Sequence, residues 1–566
     1  MNTKTFFFLL SFCFFLLFSA FVYGQNPNCF RVTFSDKNNS PYSVTHPEDF
    51  LSSRAIAKRE RFNIPVVVED LPVNPQYITA IQNIINEPTS IIAISKWNNS
   101  VVLFCPETTN WQSIVNKLVD SLPFVKDVLP VANYPKSKNF EIPVYEQISD
   151  AIVYNSSCDY NYGNSIGNIY LHKGDLLHKA GYCGENMLIC VFDAGWENFN
   201  NLPSFKSLYD NGQIWGTRDL IPGINNVYIG HSHGTAVTSE MASASEGSMV
   251  GTAPKANYYF IRSENPWSEQ LVEEDFWAQA AEIADSLGAD VSTASLGYTT
   301  FDTLYKWQNI YTQNNNDGKS SIASRAASLL AQKGVIVVNS AGNEGNNSWK
   351  FLGRPADAFN ILAVGAVNGT GAVASFSSYG PSADGRIKPD IASVGWDAWI
   401  FVSEGFLTQG SGTSMAAPII AGLSACLWQA LPQYSSLELM QLIREYGNRY
   451  NNPDNRTGYG IPNYYQLYLD HTNSIQDNKF PSLSVYPNPT AGELRIMREE
   501  LRVTSIEIYD VYGRKVGEKF PSNSLDGWQP EVEGAIIDIS HLAQGIYFLK
   551  IDTDAGEVIK KVVKKA

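Results

Sequence analysis

The spacing of apolar positions changes twice along this chain. Between residue 25 and about 145, short runs such as Phe30-Arg31-Val32-Thr33-Phe34 and Val101-Val102-Leu103-Phe104 predict strands, while Asp49 to Phe62 and Thr109 to Ser121 carry apolar residues at helical spacing. That mixture, over that length, fits a small α+β domain. From about 150 to 470 the strands become continuous apolar runs: Met187 to Phe192, Ala256 to Ile261, Ala289 to Ala294, Val335 to Val338 and Ile361 to Val367. Helical stretches separate them, at His233 to Ala244, Gln270 to Leu287 and Ile322 to Lys333. A strand that is apolar throughout is covered on both faces, so this alternation predicts an α/β fold, a parallel sheet with helices on both faces. After a polar linker at 466–481, residues 482–566 return to short β pieces, from Leu483 to Tyr486 through to Val558 to Val563, with a hairpin turn at Asp554-Ala555-Gly556. Strands at that spacing predict a small all-β sandwich.

The first 24 residues read differently. Lys4 precedes 17 uncharged residues, Phe6 to Val22, and small residues stand before Gln25, which predicts a signal peptide at 1–24 removed on export. No later stretch is long and apolar enough to span a membrane, so no stable membrane span is expected after signal removal. A length of 566 residues exceeds one core, and a net charge of −15 argues against a nucleic-acid partner. Seven cysteines in such a chain are not a disulfide scaffold. Cys29 and Cys105 could pair, as could Cys158 and Cys183, whereas Cys190 and Cys426 sit in apolar runs and read as small core residues.

Candidate chemistry centres on Gly412-Thr413-Ser414-Met415-Ala416-Ala417-Pro418, which opens a long apolar helix. A serine there meets free backbone N–H groups and the positive end of a helix dipole, where a hydroxyl can attack a carbonyl and the resulting oxyanion finds donors. The plain alternative is a helix cap. Three further residues stand at predicted strand ends or helix starts. Asp193 closes a strand in VFDAG, His233 opens a helix in HSHGTAV, and Asn343 follows a strand in VIVVNSAGNEG. His231 is a rival histidine without the Gly-Thr that follows His233. In parallel α/β sheets, chemistry gathers at such strand ends.

Together these four segments resemble the motifs of the subtilase family of serine proteases. GTAPKA (251–256), FSSYGP (376–381), KPDI (388–391) and GYGIPN (458–463) extend the likeness. The order Asp, His, Asn, Ser also differs from the trypsin-like and α/β-hydrolase arrangements. The resemblance implies a secreted serine endopeptidase with Asp193, His233 and Ser414 as catalytic residues and Asn343 as an oxyanion-hole donor. It implies that Ser295, Leu296 and Gly297 bind the substrate backbone and that residues 150–470 form a subtilisin-like catalytic domain. The unit at 25–145 then resembles a subtilase propeptide, a partner that chaperones and inhibits the enzyme. Tyr486-Pro487-Asn488-Pro489-Thr490, Ile508-Tyr509-Asp510, Gly545-Ile546-Tyr547 and the Lys-rich end resemble a type IX secretion sorting domain at 482–566. These features imply protein or peptide substrates, the type IX machinery as a partner, and export through the periplasm to the cell surface or medium. No cofactor is expected and no metal ligand is assigned. Calcium is possible but not evident, because Gln313 to Gly318 starts with Gln where a calcium loop needs Asp. Two competing readings are a catalytically inactive subtilase-fold adhesin or binding module, and a sedolisin, which would need a Glu–Asp pair in place of His233.

Overall fold

The computed structural model describes residues 27–85, 89–105, 111–134, 158–223, 225–302, 308, 310–472, 484–497, 503–510, 514–519, 536–553 and 556–565. The signal peptide expected at 1–24 and the first two residues of the expected 554–556 turn lie outside them. The chain forms two compact units, Met1–Leu467 and Tyr468–Ala566.

The first unit begins with β1 (Cys29–Phe34), α1 (Ser53–Arg61), α2 (Pro75–Ile85), β2 (Ser90–Ser95), β3 (Ser100–Phe104), α3 (Trp111–Ser121) and β4 (Val125–Ala132). The strands pair antiparallel in the order β2-β3-β1-β4. Phe30, Val32, Ile81, Leu103 and Leu118 form the core between sheet and helices. Helix α1 starts four residues later than its apolar spacing predicts. Ser52 accepts a hydrogen bond from the Ala55 amide and caps the helix there, while Pro47–Asp49 form a separate 3-10 turn. Cys29 and Cys105 are buried, and both are thiols.

The rest of this unit is built on β5 (Leu188–Asp193), β6 (Ile214–Asp219), α4 (His233–Ala242), β7 (Asn257–Arg262), α5 (Glu273–Leu287), β8 (Val291–Ala294), α6 (Ile322–Gln332), β9 (Ile336–Ser340), β10 (Leu362–Val367), β11 (Ile391–Val394) and α7 (Thr413–Ala430). The strands form a seven-stranded sheet, ordered β11-β10-β9-β8-β5-β7-β6, in which every pairing is parallel. β5, β8, β9 and β10 are buried along their whole length, as continuous apolar runs require. β6 is an edge strand with the half-exposed sequence IWGTRD, so it lacks that signature. Cys158 and Cys183 form a disulfide, and Cys190 and Cys426 are buried.

The second unit has a three-stranded and a four-stranded sheet, whose pairings are antiparallel. Leu494, Ile496, Ile506, Ile508, Leu549 and Ile551, drawn from both sheets, share one apolar core, which is the layered all-β arrangement expected.

Candidate active site

The parallel sheet brings distant residues to one edge. β5 ends at Asp193, β8 ends one residue before Ser295, and β9 ends three residues before Asn343. Helix α4 starts at His233 and α7 starts one residue before Ser414. A cavity of about 290 Å³ is lined by His233, Ser295, Leu296, Gly297, Asn343 and Ser414, six of the seven expected site residues. The seventh, Asp193, lies fully buried beneath His233, with Oδ1 at 2.9 Å and Oδ2 at 3.0 Å from His233 Nδ1. The Ala194 amide donates to Asp193 Oδ1 at 2.7 Å and helps fix the carboxylate. His233 can approach because residue 234 is glycine. A Cβ there would lie 2.6 Å from the Gly195 carbonyl oxygen and 2.8 Å from the Trp196 ring.

Ser414 is the second residue of α7, and Gly412, not the serine, takes the capping position. The cap reading of this serine is therefore not what the structure has. Ser414 Oγ donates to the Ser295 carbonyl at 3.2 Å, and Ser295 Oγ donates to the Ser414 carbonyl at 2.8 Å. Among the described residues no hydrogen bond joins Ser414 Oγ to His233. Asn343 Oδ1 accepts from the Thr413 amide at 2.9 Å and from Thr413 Oγ1 at 3.1 Å. Its amide oxygen is thereby anchored, and its NH2 group has no protein acceptor among the described residues.

A model of the subtilase family matches residues 184–460. Residues 184–460 are a subtilase-family domain. A Bacteroidota propeptide domain of the same peptidase class matches residues 29–142, and a secretion-system C-terminal sorting domain matches residues 484–565. Subtilisin NAT of Bacillus subtilis subsp. natto is 29% identical over 271 residues, covering 47% of this chain and 62% of that protein. The match therefore spans less than two thirds of that relative. Subtilisin of Bacillus pumilus is 28% identical over 271 residues, covering 47% of this chain and 86% of the relative. The solved, self-cleaved protease domain of PatA is 23% identical with a TM-score of 0.38, covering 51% of this chain and 97% of that one.

Electrostatics at the subtilase cavity are dominated by buried charge. Burial pushes the His233 pKa down, but the Asp193 charge and hydrogen bond outweigh it and raise the pKa to about 8. The rival, His231, lines the same cavity and accepts a 3.3 Å hydrogen bond from the His233 backbone amide through Nδ1. Its pKa is lowered by burial and by His233. It buttresses the start of α4 and makes no bond to Asp193. Two further residues of the site carry no expected role. Thr413, inside the Gly412–Pro418 motif, orients Asn343, and Glu264, two residues past β7 and in no motif, lines the cavity. The only sequence signal for Glu264 is an acid just beyond the carboxyl end of a parallel strand. In the stretch weighed for calcium, the Asp317 carboxylate accepts from the Lys319 and Ser320 amides and the Ser320 hydroxyl. No helix among the described residues is long and apolar enough to cross a membrane.

Proposed function

We propose that the chain is an exported serine endopeptidase that cleaves peptide bonds through an acyl-enzyme. The observation that carries this reading is the His233–Asp193 contact of 2.9 Å beside a cavity that His233 shares with Ser414 and Asn343. Asp193 accepts from His233 Nδ1, which leaves Nε2 as the basic nitrogen. The Ser414 hydroxyl turns from the Ser295 carbonyl to His233 when substrate arrives. Its oxygen then attacks the peptide carbonyl as Nε2 takes the proton. Negative charge on the carbonyl oxygen is met by the Asn343 NH2 and the Ser414 backbone N–H. The imidazolium protonates the departing amine, and water repeats the sequence on the ester to regenerate Ser414. Ser295, Leu296 and Gly297 supply a strand edge for the substrate backbone, which favours extended peptides.

In this reading residues 25–145 act as an inhibitory propeptide, and residues 482–566 direct the enzyme to the type IX machinery for release at the surface or into the medium. Labelling of the secreted protein by a fluorophosphonate probe tests the chemistry. Wild type is expected to label and to hydrolyse peptides, and Ser414→Ala to do neither. A wild-type protein that is folded but neither labels nor hydrolyses would support the inactive adhesin instead.

A further inference from the structure

The hydrolytic steps employ Asp193, His233, Asn343 and Ser414 and leave one ionisable group of the same cavity without a task. Glu264 lines the cavity together with His233 and Pro266. No hydrogen bond or ion pair from a described residue reaches its carboxylate, which feels the charges of Asp193 and His233. The other acid lining the cavity, Glu344, is engaged, because the Asn347 side-chain amide donates to it. Behind Glu264 stand Glu269 and Glu273, with carboxylate oxygens of all three within 4.8 Å of one another.

The surroundings neutralise other acids but not these. Helix α5 opens with Glu273, Glu274 and Asp275. Asp275 pairs with Arg31 at 2.5 Å, and Glu274 faces Arg354 at 3.8 Å while accepting from Tyr311 and Ser321. The Glu273 carboxylate accepts only from the backbone amides of Gln270 and Asn265, and no cation pairs with it among the described residues. Burial, followed by the charge of Asp193, raises the Glu264 pKa to about 7, with His233 acting in the opposite direction. An entering cation would relieve that crowding.

We propose that Glu264 is the specificity-determining residue of this cavity, binding the ammonium or guanidinium group of a lysine or arginine side chain adjacent to the scissile bond. This rests on the peptidase reading above and names the substrate class of that site. A peptide paired along Ser295 to Gly297 sends alternate side chains to opposite faces, one of them into the cavity. Leu296 and Pro266 give the wall an apolar lining for the methylene stem, and Glu264 meets the charged tip. A divalent cation among the three carboxylates is the competing occupant. It is disfavoured because both Glu273 oxygens already accept backbone N–H groups.

The test is a set of otherwise identical fluorogenic peptides with Lys, Arg, norleucine or Glu at each position flanking the cleaved bond. They are assayed with the self-processed enzyme and its Glu264→Gln and Glu264→Lys forms, with added calcium and with excess chelator. At one position wild type is expected to prefer Lys and Arg over norleucine by roughly 10- to 100-fold in kcat/KM, the range a charge-assisted hydrogen bond sets. Glu264→Gln should bring that ratio near one, and Glu264→Lys should turn it towards Glu. Each ratio is internal to one preparation, so partial misfolding cancels. A wild-type ratio near one, a ratio unchanged in Glu264→Gln, or a preference that appears only with chelator overturns the assignment. In each of those cases probe labelling and cleavage persist, so the peptidase reading stands. Loss of both in wild type overturns the peptidase reading, and this assignment with it.

Discussion

At the scale of single residues, the contact between His233 and the buried Asp193 carboxylate sets the working pH. The His233 pKa of about 8 is the net of burial, which lowers it, and Asp193, which raises it further. A folded-state pKa above the unfolded value contributes stability that is complete below about pH 6.5 and is lost as pH rises through about 8. Catalysis needs the neutral ring, so activity runs the other way. We expect kcat/KM for a neutral peptide to rise with pH along a limb centred near 8. A pH–rate profile checks it, and an optimum near pH 3–4, where carboxylates titrate, would point to sedolisin chemistry. Asn343 gives a second prediction at this scale. Its oxygen is held by Thr413, so its NH2 is oriented before substrate arrives. Asn343→Ala is expected to lower kcat by roughly 10²–10³, the cost found for this donor in a subtilisin, with little change in KM. Steady-state kinetics separate this from loss of ground-state binding, which would raise KM instead.

At the scale of elements, helix α5 explains how the propeptide-like domain is held. Asp275, Gln279, Glu282 and Ser286 follow the three- and four-residue spacing of one helix face. Asp275 pairs with Arg31, the Gln279 side chain accepts from the Ile94 amide, and Glu282 accepts from the Ser95 hydroxyl and the amides of Lys96 and Trp97. Next to them Asp285 binds Arg59 and Lys96, while Asp70 of the propeptide-like domain binds Arg59 and Lys333. Removing one charge from such a buried network leaves partners uncompensated. Asp285→Asn is expected to weaken inhibition by residues 25–145 added in trans by about 3 kcal/mol, or roughly 100-fold, in a titration of the mature enzyme. Burial opposes ionisation of Asp285, but Lys96 and Arg59 outweigh it and hold its pKa below the usual carboxylate range. A depressed pKa contributes stability above the unfolded value, near 4, and loses it as pH falls through the folded value. Docking should therefore hold at neutral pH and fail only in strong acid. The acid-rich face of α5 is buried because a second domain supplies Lys96 and Arg59, 189 and 226 residues earlier in the chain than Asp285.

At the scale of the whole molecule, the unit Tyr468–Ala566 has its own core, built from Leu494, Ile506, Ile508, Leu549 and Ile551, and carries none of the residues that line the cavity. A unit with its own core can be removed without opening another. Deleting residues 482–566 is expected to give an enzyme that still labels with the serine probe but stays in the periplasm. Fractionation in a host with type IX machinery checks it. Export of the truncated protein at the wild-type level would assign the segment to binding instead.

The sequence by itself determined what local pattern and motif can carry. Continuous apolar runs marked the buried parallel strands, because a strand covered on both faces has no polar side. Asp193, His233, Asn343 and Ser414 were legible because each lies in a short motif at a strand end or helix start. Short, closely spaced β pieces marked the all-β tail. The edge strand Ile214–Asp219 went unread because its partly exposed face carries no apolar signature. Only the tertiary structure decided what depends on contacts between distant segments. It turned the Ser414 hydroxyl to Ser295 rather than to His233, and it anchored Asn343 on Thr413, 70 residues away. It closed the acidic face of α5 beneath another domain. It also left Glu264 in the cavity with no counter-ion among the described residues, since whether a carboxylate has a partner depends on what the fold brings beside it.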